Sequence, residues 1–393
     1  MKKTLVAIAA LAAFGAQAQS SVQLDGVVDA GYQSVNYKGN TVNGIAGNGS
    51  STSQLNVRGN EDLGGGLRAT FRVETDWNMV SNYANTGTST GVNSTSSANS
   101  INGAGGTFGN GEIRVGLESA KFGQIHLGAV NYNTLGTFLT GQPFGTAIGS
   151  GFRTMYINDA QATSSVRAEN AVKYVSPAFM GLNATLYKSN KQDKAATVAA
   201  ASTSTTGLIT QPNAFSSSIG AYDQVGTQEL GLNYVNGPLA ASYSTLKQDF
   251  AGISSVNGSL AAAGTAEYKV NTLAAAYTMG AAKFMFLNQT NKTNTGTVDN
   301  GATTFSATYT IGQTVLMAQT GSLKSHAGTS NGKKSTFTGL GADYNLSKMS
   351  AVYFRAESVN DEAGAMNAAV TPTAIKGTDT KFARTALGIR IGF

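Results

Sequence analysis

Cysteine is absent from this chain, so a scaffold stapled by disulfides is excluded. Histidine occurs only at His126 and His326, too few for a histidine-based metal cluster. Proline is scarce, with five residues, and only 12% of positions are charged. No G-x-S-x-G elbow and no phosphate-binding loop is present. Lysine and arginine form no long run and no basic–aromatic repeat, so a nucleic-acid partner is not expected. No catalytic centre and no cofactor is expected either. Beyond the first residues, no apolar run approaches the ~18 residues that a membrane helix requires.

The first residues have a different character. Lys2 and Lys3 precede an apolar stretch from Leu5 to Phe14, and Ala16-Gln17-Ala18 follows as an A-x-A cleavage box. Residues 1–18 are therefore expected to be an export signal, and 19–393 one membrane domain. The net charge of +6 falls to +4 when the two leader lysines go.

What the remaining chain has is period-two alternation. The clearest case runs from Leu67 to Trp77. Leu67, Ala69, Phe71, Val73, Thr75 and Trp77 point one way, while Arg68, Thr70, Arg72, Glu74 and Asp76 point the other. The same reading can be made sixteen times: near 22–36, 52–59, 67–77, 112–119, 124–132, 166–175, 182–188, 226–235, 239–246, 269–279, 282–289, 304–311, 314–320, 335–344, 350–357 and 381–393. Seven short turns fall at 60–66, 120–123, 176–181, 236–238, 279–281, 311–313 and 345–348. Eight long polar connections fall near 37–51, 78–111, 133–165, 189–225, 247–268, 290–303, 321–334 and 358–380. This alternation of short and long predicts an all-β fold, a 16-stranded antiparallel transmembrane β-barrel with short periplasmic turns and long external loops. Sixteen strands enclose water, whereas eight would fill with side chains. The last strand ends on Phe393, on its apolar face, which predicts closure against the first strand.

Several segments then resemble the trimeric general-diffusion porins of Gram-negative bacteria, of the beta-proteobacterial type. Gln19 to Gly31 resembles the first strand of that family. Gly59-Asn60-Glu61-Asp62-Leu63-Gly64-Gly65-Gly66-Leu67 resembles its first periplasmic turn. Val115-Gly116-Leu117, Lys121-Phe122-Gly123 and Leu127-Gly128 resemble the hairpin before its third loop. Arg167 to Tyr174 with Ser176-Pro177 resembles its sixth strand and turn, and the terminal Phe393 its assembly signal. The resemblance covers the whole chain after the leader. It implies a homotrimer in outer-membrane lipid, recognition of the last strand by the outer-membrane assembly machinery, and passage of small hydrophilic solutes and ions. It also implies a third loop folded into the lumen, where Pro143-Phe144-Gly145 lies. Three departures stand out. Gln54 replaces a common arginine, Gly128-Ala129-Val130-Asn131-Tyr132 stands where the family's fifth strand commonly reads Gly-Arg-Gln-Tyr, and Asp159 is the only carboxylate of the third loop. The constriction is therefore expected to be wider, less polarised or differently selective than is usual in the family.

Counting from the periplasmic turns at ~3.3 Å per residue puts Arg72, Arg114, Arg167, Arg355 and Arg384 near mid-height on the polar face. With Glu74, Asp159 and Glu169 they are the candidate pore-lining residues. Arg384, Arg72 and Arg114 are expected to form one basic wall, giving weak anion preference. Each arginine can equally be a wall salt bridge. Paired Glu74 and Asp76 follow from strand alternation, not from glycosidase chemistry. A substrate-specific channel, a non-transport barrel such as an adhesin, and a secreted β-sandwich remain as alternatives.

Overall fold

The structure, a computed structural model, describes residues 20–37, 40–77, 108–152, 156, 166–189, 225–250, 254–256, 259–261, 266–296, 298–363 and 381–393. The expected leader and Asp159 lie outside these residues.

The alternating segments form one closed antiparallel sheet of sixteen strands. β1 is Ser21–Tyr37, and β2 runs in two pieces, Asn40–Gly47 and Gln54–Gly64. β3 (Leu67–Asp76), β4 (Ile113–Ser119) and β5 (Gly123–Asn131) follow. After helix α1 (Asn133–Thr140) come β6 (Arg167–Val175), β7 (Leu182–Ser189), β8 (Val225–Asn236) and β9 (Leu239–Phe250). β10 (Ala266–Met279), β11 (Ala282–Thr293), β12 (Asp299–Ile311) and β13 (Thr314–Ser325) continue the wall. β14 (Lys334–Asn345), β15 (Ser350–Asn360) and β16 (Lys381–Gly392) complete it. Every strand pairs with its sequence neighbour, and β16 pairs with β1 from Val27↔Gly392 to Tyr37↔Phe382. Phe393 extends this closure, since Gly26 N–H donates to Phe393 O at 3.0 Å and Phe393 N–H to Gly26 O at 3.1 Å.

The side-chain pattern is inside out. On the outer face Leu24, Val115, Leu186, Phe305, Leu340 and Leu387 are all exposed, as they would be to lipid. On the inner face Asp29, Asn56, Glu74, Glu229, Thr272, Gln289, Gln319 and Glu357 are buried. A soluble protein could not tolerate the first set, and a bilayer could not tolerate the second facing outward. The Gly64-Gly65-Gly66 turn has φ of 81°, 61° and 78°, a conformation glycine adopts without steric cost.

Two expectations fail at the external rim. The connection 37–51 is not one long loop: Asn40–Gly47 folds straight back on β1, from Ala30↔Gly47 to Tyr37↔Asn40. β2 then leaves the ladder over residues 48–53 and rejoins it at Gln54↔Val27. The connections 290–303 and 321–334 shrink in the same way, because β11 reaches Thr293 and β13 reaches Ser325. Above the lipid both faces of a hairpin are wet, so the alternation vanishes while the ladder continues. A small hairpin, Ser254–Val256 with Ser259–Ala261, occupies part of the connection after β9.

Candidate functional site in the barrel interior

Registers fixed by the first turn place three arginines side by side on the inner wall: Arg58 on β2 faces Arg72 on β3, which faces Arg114 on β4. Like charges so paired repel, and carboxylates hold the row together. Arg58 pairs with Asp25 at 3.0 Å. Arg72 pairs with Glu74 and, at 2.9 Å, with Glu112, and also donates to Asn56 Oδ1 at 3.1 Å. Arg114 lies 3.9 Å from Glu112 and 3.7 Å from Glu118, while Arg68 reaches Glu118 at 3.2 Å. Arg167 joins from β6, 3.7 Å from Glu74, and donates to Asn131 Oδ1 at 3.0 Å and to the Asn110 carbonyl at 2.7 Å. Lys173 donates to the Asn131 carbonyl at 2.9 Å, and His126 Nε2 lies 3.1 Å from Glu118. The charges are layered. The Arg72 side chain is 20% exposed, whereas Glu74 and Glu112 are 7% and 9% exposed. At Arg72, Arg114 and Arg167 the guanidinium groups therefore face the open interior with Glu74, Glu112 and Glu118 behind them, whereas Arg58 and Asp25 are both open.

The chain after β5 turns against the inner face. α1 begins without a capping side chain of its own. Glu229 supplies the cap from β8: its carboxylate accepts the N–H groups of Asn133 and Thr134, both at 2.6 Å, and the Thr134 hydroxyl at 2.6 Å. An acid at this end also meets the positive pole of the helix. Thr137 and Thr134 hydroxyls lie 2.6 Å and 3.0 Å from Ser242 and Ser244 on β9. Gly231 makes this approach feasible, because a Cβ there would lie 2.7 Å from Cβ of Asn133. Beyond α1, Phe138, Phe152 and Tyr156 pack on Leu287, Leu323, Phe337, Val359 and Phe382. These five point inward, so the inner wall from β11 to β16 carries an apolar strip that receives this segment. Tyr156 donates its hydroxyl to Thr304 Oγ1 at 2.7 Å.

The tip of the segment meets a second charged group on β14–β16. Gly149 N–H donates to Glu357 at 2.8 Å, and Glu357 pairs with Arg384 at 3.3 Å. Arg355 pairs with Asp343 at 2.6 Å, donates to Ser50 Oγ at 2.9 Å, and lies 5.9 Å from the Phe144 ring centre. The 48–53 excursion of β2 is tied into the same corner. Asp29 accepts N–H groups of Gly49, Ser50 and Ser51 at 3.3, 2.7 and 2.6 Å, and the Tyr353 hydroxyl at 2.5 Å. Ile148 N–H then donates to the Gly49 carbonyl at 3.3 Å.

The expected site residues thus fall into two groups. Arg72, Arg114, Arg167 and Glu74 come together. Arg355 and Arg384 do not join them and do not line open space, being 2% and 7% exposed. The expected continuous wall through Arg384 is absent. Arg384 sits opposite Val35 on β1, whereas Arg58, next to Arg72, sits opposite Gln23, twelve residues lower on the same strand. Glu169 is exposed in a bulge of β6 beside Asn170, whose φ is 52°. Pro143 and Gly145 flank Phe144, which is buried at 2%. Sequence reasoning missed Arg58, although counting back from the Gly64–Gly66 turn places it opposite Arg72. Nothing in the sequence marked Glu229 as the cap of a helix that begins ninety-six residues earlier.

A closed sixteen-stranded barrel, apolar outside, with a charged inner wall and an inward-packed segment, is an outer-membrane channel barrel. Comparison with known proteins narrows the class. The family model described as Gram-negative porin matches residues 4–364, and the chain belongs to that family. Outer membrane porin protein 32 of Delftia acidovorans is 32% identical over 296 residues, covering 74% of this chain and 70% of that protein. An outer membrane porin protein of Bordetella pertussis is 29% identical over 301 residues, covering 70% of this chain and 69% of that protein. Among solved structures, an anion-selective porin from Comamonas acidovorans superposes with a TM-score of 0.69 at 24% identity, covering 95% of this chain and all of that one. OmpT of Vibrio cholerae in a trimer form superposes with a TM-score of 0.61 at 14% identity, over 95% of this chain and 99% of that one. The protein is an outer-membrane porin.

Proposed function

We propose that the protein is a passive, water-filled channel that prefers small anions, and that the Arg58–Arg72–Arg114 row with Arg167 sets the preference. The observation that carries this reading is the layering of charge: guanidinium groups face the interior and their carboxylates lie behind. A solute meets the cations first, since Arg72, Arg114 and Arg167 are more open than the Glu74, Glu112 and Glu118 they pair with. The segment through Pro143, Phe144 and Gly145 narrows the lumen, held by Glu229 at one end and Glu357 at the other. The segment's lack of carboxylates in residues 133–152 leaves the arginine row without an opposing acidic wall. The barrel works as a homotrimer and carries out no catalysis. The outward residues of β4, β5 and β16 (Ile113, Val115, Leu117, Ile125, Leu127, Leu387, Ile389 and Ile391) are uncharged and suit a subunit contact. Export by residues 1–18 and assembly through Phe393 complete the reading. The test is ion selectivity in a planar bilayer. Arg72→Gln with Arg114→Gln should lower chloride-over-potassium preference, and an unchanged ratio would remove the row from the account.

A further inference from the structure

Two cations of the inner wall stand outside the pairing that governs the rest of it. Among the described residues, every arginine except Arg390 holds a carboxylate. Arg390 is half-buried and shares the inward parity of Arg384 and Ala386 on β16, alternating with the lipid-facing Leu387, Ile389 and Ile391. Its register partners are Asp29 on β1 and Ala351 on β15. Asp29 makes no ion pair with it, because that carboxylate already accepts the Tyr353 hydroxyl and the N–H groups of Gly49, Ser50 and Ser51. The inward neighbours of Arg390 along β16 are Gly388 and Gly392, so no side chain of its own strand stands between the guanidinium and the lumen. Lys283 repeats the situation on β11. It alternates with the outward Phe284 and lies between Thr278 and Thr308, two hydroxyls and no acid. Among the described residues, no carboxylate pairs with Arg390 or Lys283.

Position gives these two a role. Arg390 lies three residues before Phe393 and Lys283 two residues after the 279–281 turn, so both stand within ~10 Å of the periplasmic edge of the wall. In a closed sheet of sixteen strands, β11 lies eight strands from β3, which puts Lys283 across the lumen from the strand of Arg72. Among the described residues, Asp343 is the one carboxylate at this level on the inner face of β7 to β16, and Arg355 neutralises it at 2.6 Å. Charge without a counter-charge, in a narrow aqueous space with low-dielectric walls, concentrates ions of the opposite sign. We propose that Arg390 and Lys283 form a second anion-attracting station at the periplasmic mouth, which sets, together with the arginine row above it, how readily small anions cross. The two levels differ in kind. The row carries its own carboxylates and acts on a solute at contact, whereas the unpaired pair acts through its field and fades as salt screens it. The inference rests on the open-channel reading and not on the arginine row.

The absence of cysteine makes a direct test possible. Arg390→Cys and Lys283→Cys, made singly in the full chain, each place one thiol in the lumen for charged methanethiosulfonate reagents. Zero-current potentials across potassium chloride gradients are then measured in planar bilayers. In each variant the chloride-to-potassium permeability ratio should fall about twofold at ~10 mM salt, where the Debye length is ~30 Å, and match wild type at ~1 M, where it is ~3 Å. A trimethylammonium reagent should restore the low-salt ratio, and a sulfonate reagent should lower it further. Lys348→Cys, in the turn at the same rim, should respond to neither. Heat-modifiable migration should match wild type in all three, which shows that they fold. Wild-type ratios at low salt in both lumen variants overturn the proposal. So does an equal response to the two reagents, which would mark a role of bulk or structure and not of charge. The arginine row is read separately by Arg72→Gln with Arg114→Gln. An unchanged ratio there, beside a response to reagent sign here, removes the row and keeps this station.

Discussion

Arg72 is tied into the wall and open to the interior at once, which suits it to the solute-facing role proposed for it. It holds Glu74, Glu112 and Asn56 while keeping a fifth of its side chain open to the interior. Removing its charge takes the nearest cation from both carboxylates, leaving Glu74 with Arg167 at 3.7 Å and Glu112 with Arg114 at 3.9 Å, so Arg72→Gln should cut the chloride-to-potassium permeability ratio ~2–5-fold, more than loss of the exposed Arg58. Arg355 gives the opposite expectation. Its side chain is 3% exposed and sits on Asp343 and Ser50. Arg355→Gln should therefore change selectivity little, yet destabilise the barrel by about 3 kcal/mol, since one buried partner is left unpaired. Denaturant unfolding followed by gel migration reads the second effect, and a selectivity change as large as that of Arg72→Gln would contradict the assignment. Strand parity and turn counting made Arg72, Arg114 and Arg167 legible in the sequence. They could not separate these from Arg355 and Arg384, because parity tells which face a residue occupies and not what folds over it.

The third connection shows how an element can be hidden from local reading. α1 contains Gly136 and three threonines, all poor helix formers, and residues 133–140 read as loop. The helix exists because Glu229 caps it and Phe138 anchors it on the apolar inner strip. Glu229→Gln removes the charge from that cap and should loosen the segment, giving larger open-channel current noise and frequent partial closures. Quiet wild-type-like traces would count against Glu229 as the anchor. Leu287, Phe337 and Val359 interrupt otherwise polar inner faces, and their purpose appears only with the segment docked on them. The split in β2 was equally hidden, because residues 48–53 are all Asn, Gly, Ser and Thr and nothing in them announces Asp29 as their acceptor. The final strand was fully legible: its alternation from Ala383 to Phe393 predicts the face assignment and the closure found in the β16–β1 ladder. Phe393→Ala should reduce the yield of folded, heat-modifiable protein in the outer membrane severalfold, while unfolded chain accumulates.

The whole molecule is defined by its inversion, with apolar side chains outward and ion pairs inward. That arrangement was readable from period two and from the seven short turns, which fix strand number, orientation and an interior wide enough for water. The external hairpins were less readable, since water on both sides erases the pattern that lipid imposes. A wall built this way separates solutes by size and by the charge it shows them, and the charge proposed to decide is that of the arginine row. The most direct test is the zero-current potential of the purified wild-type channel across a potassium chloride gradient. The account predicts a potential of the sign given by chloride passing more readily than potassium, reduced towards zero when Arg72 and Arg114 are both replaced by glutamine. A potential of zero, or of the opposite sign, in the wild-type protein would contradict it.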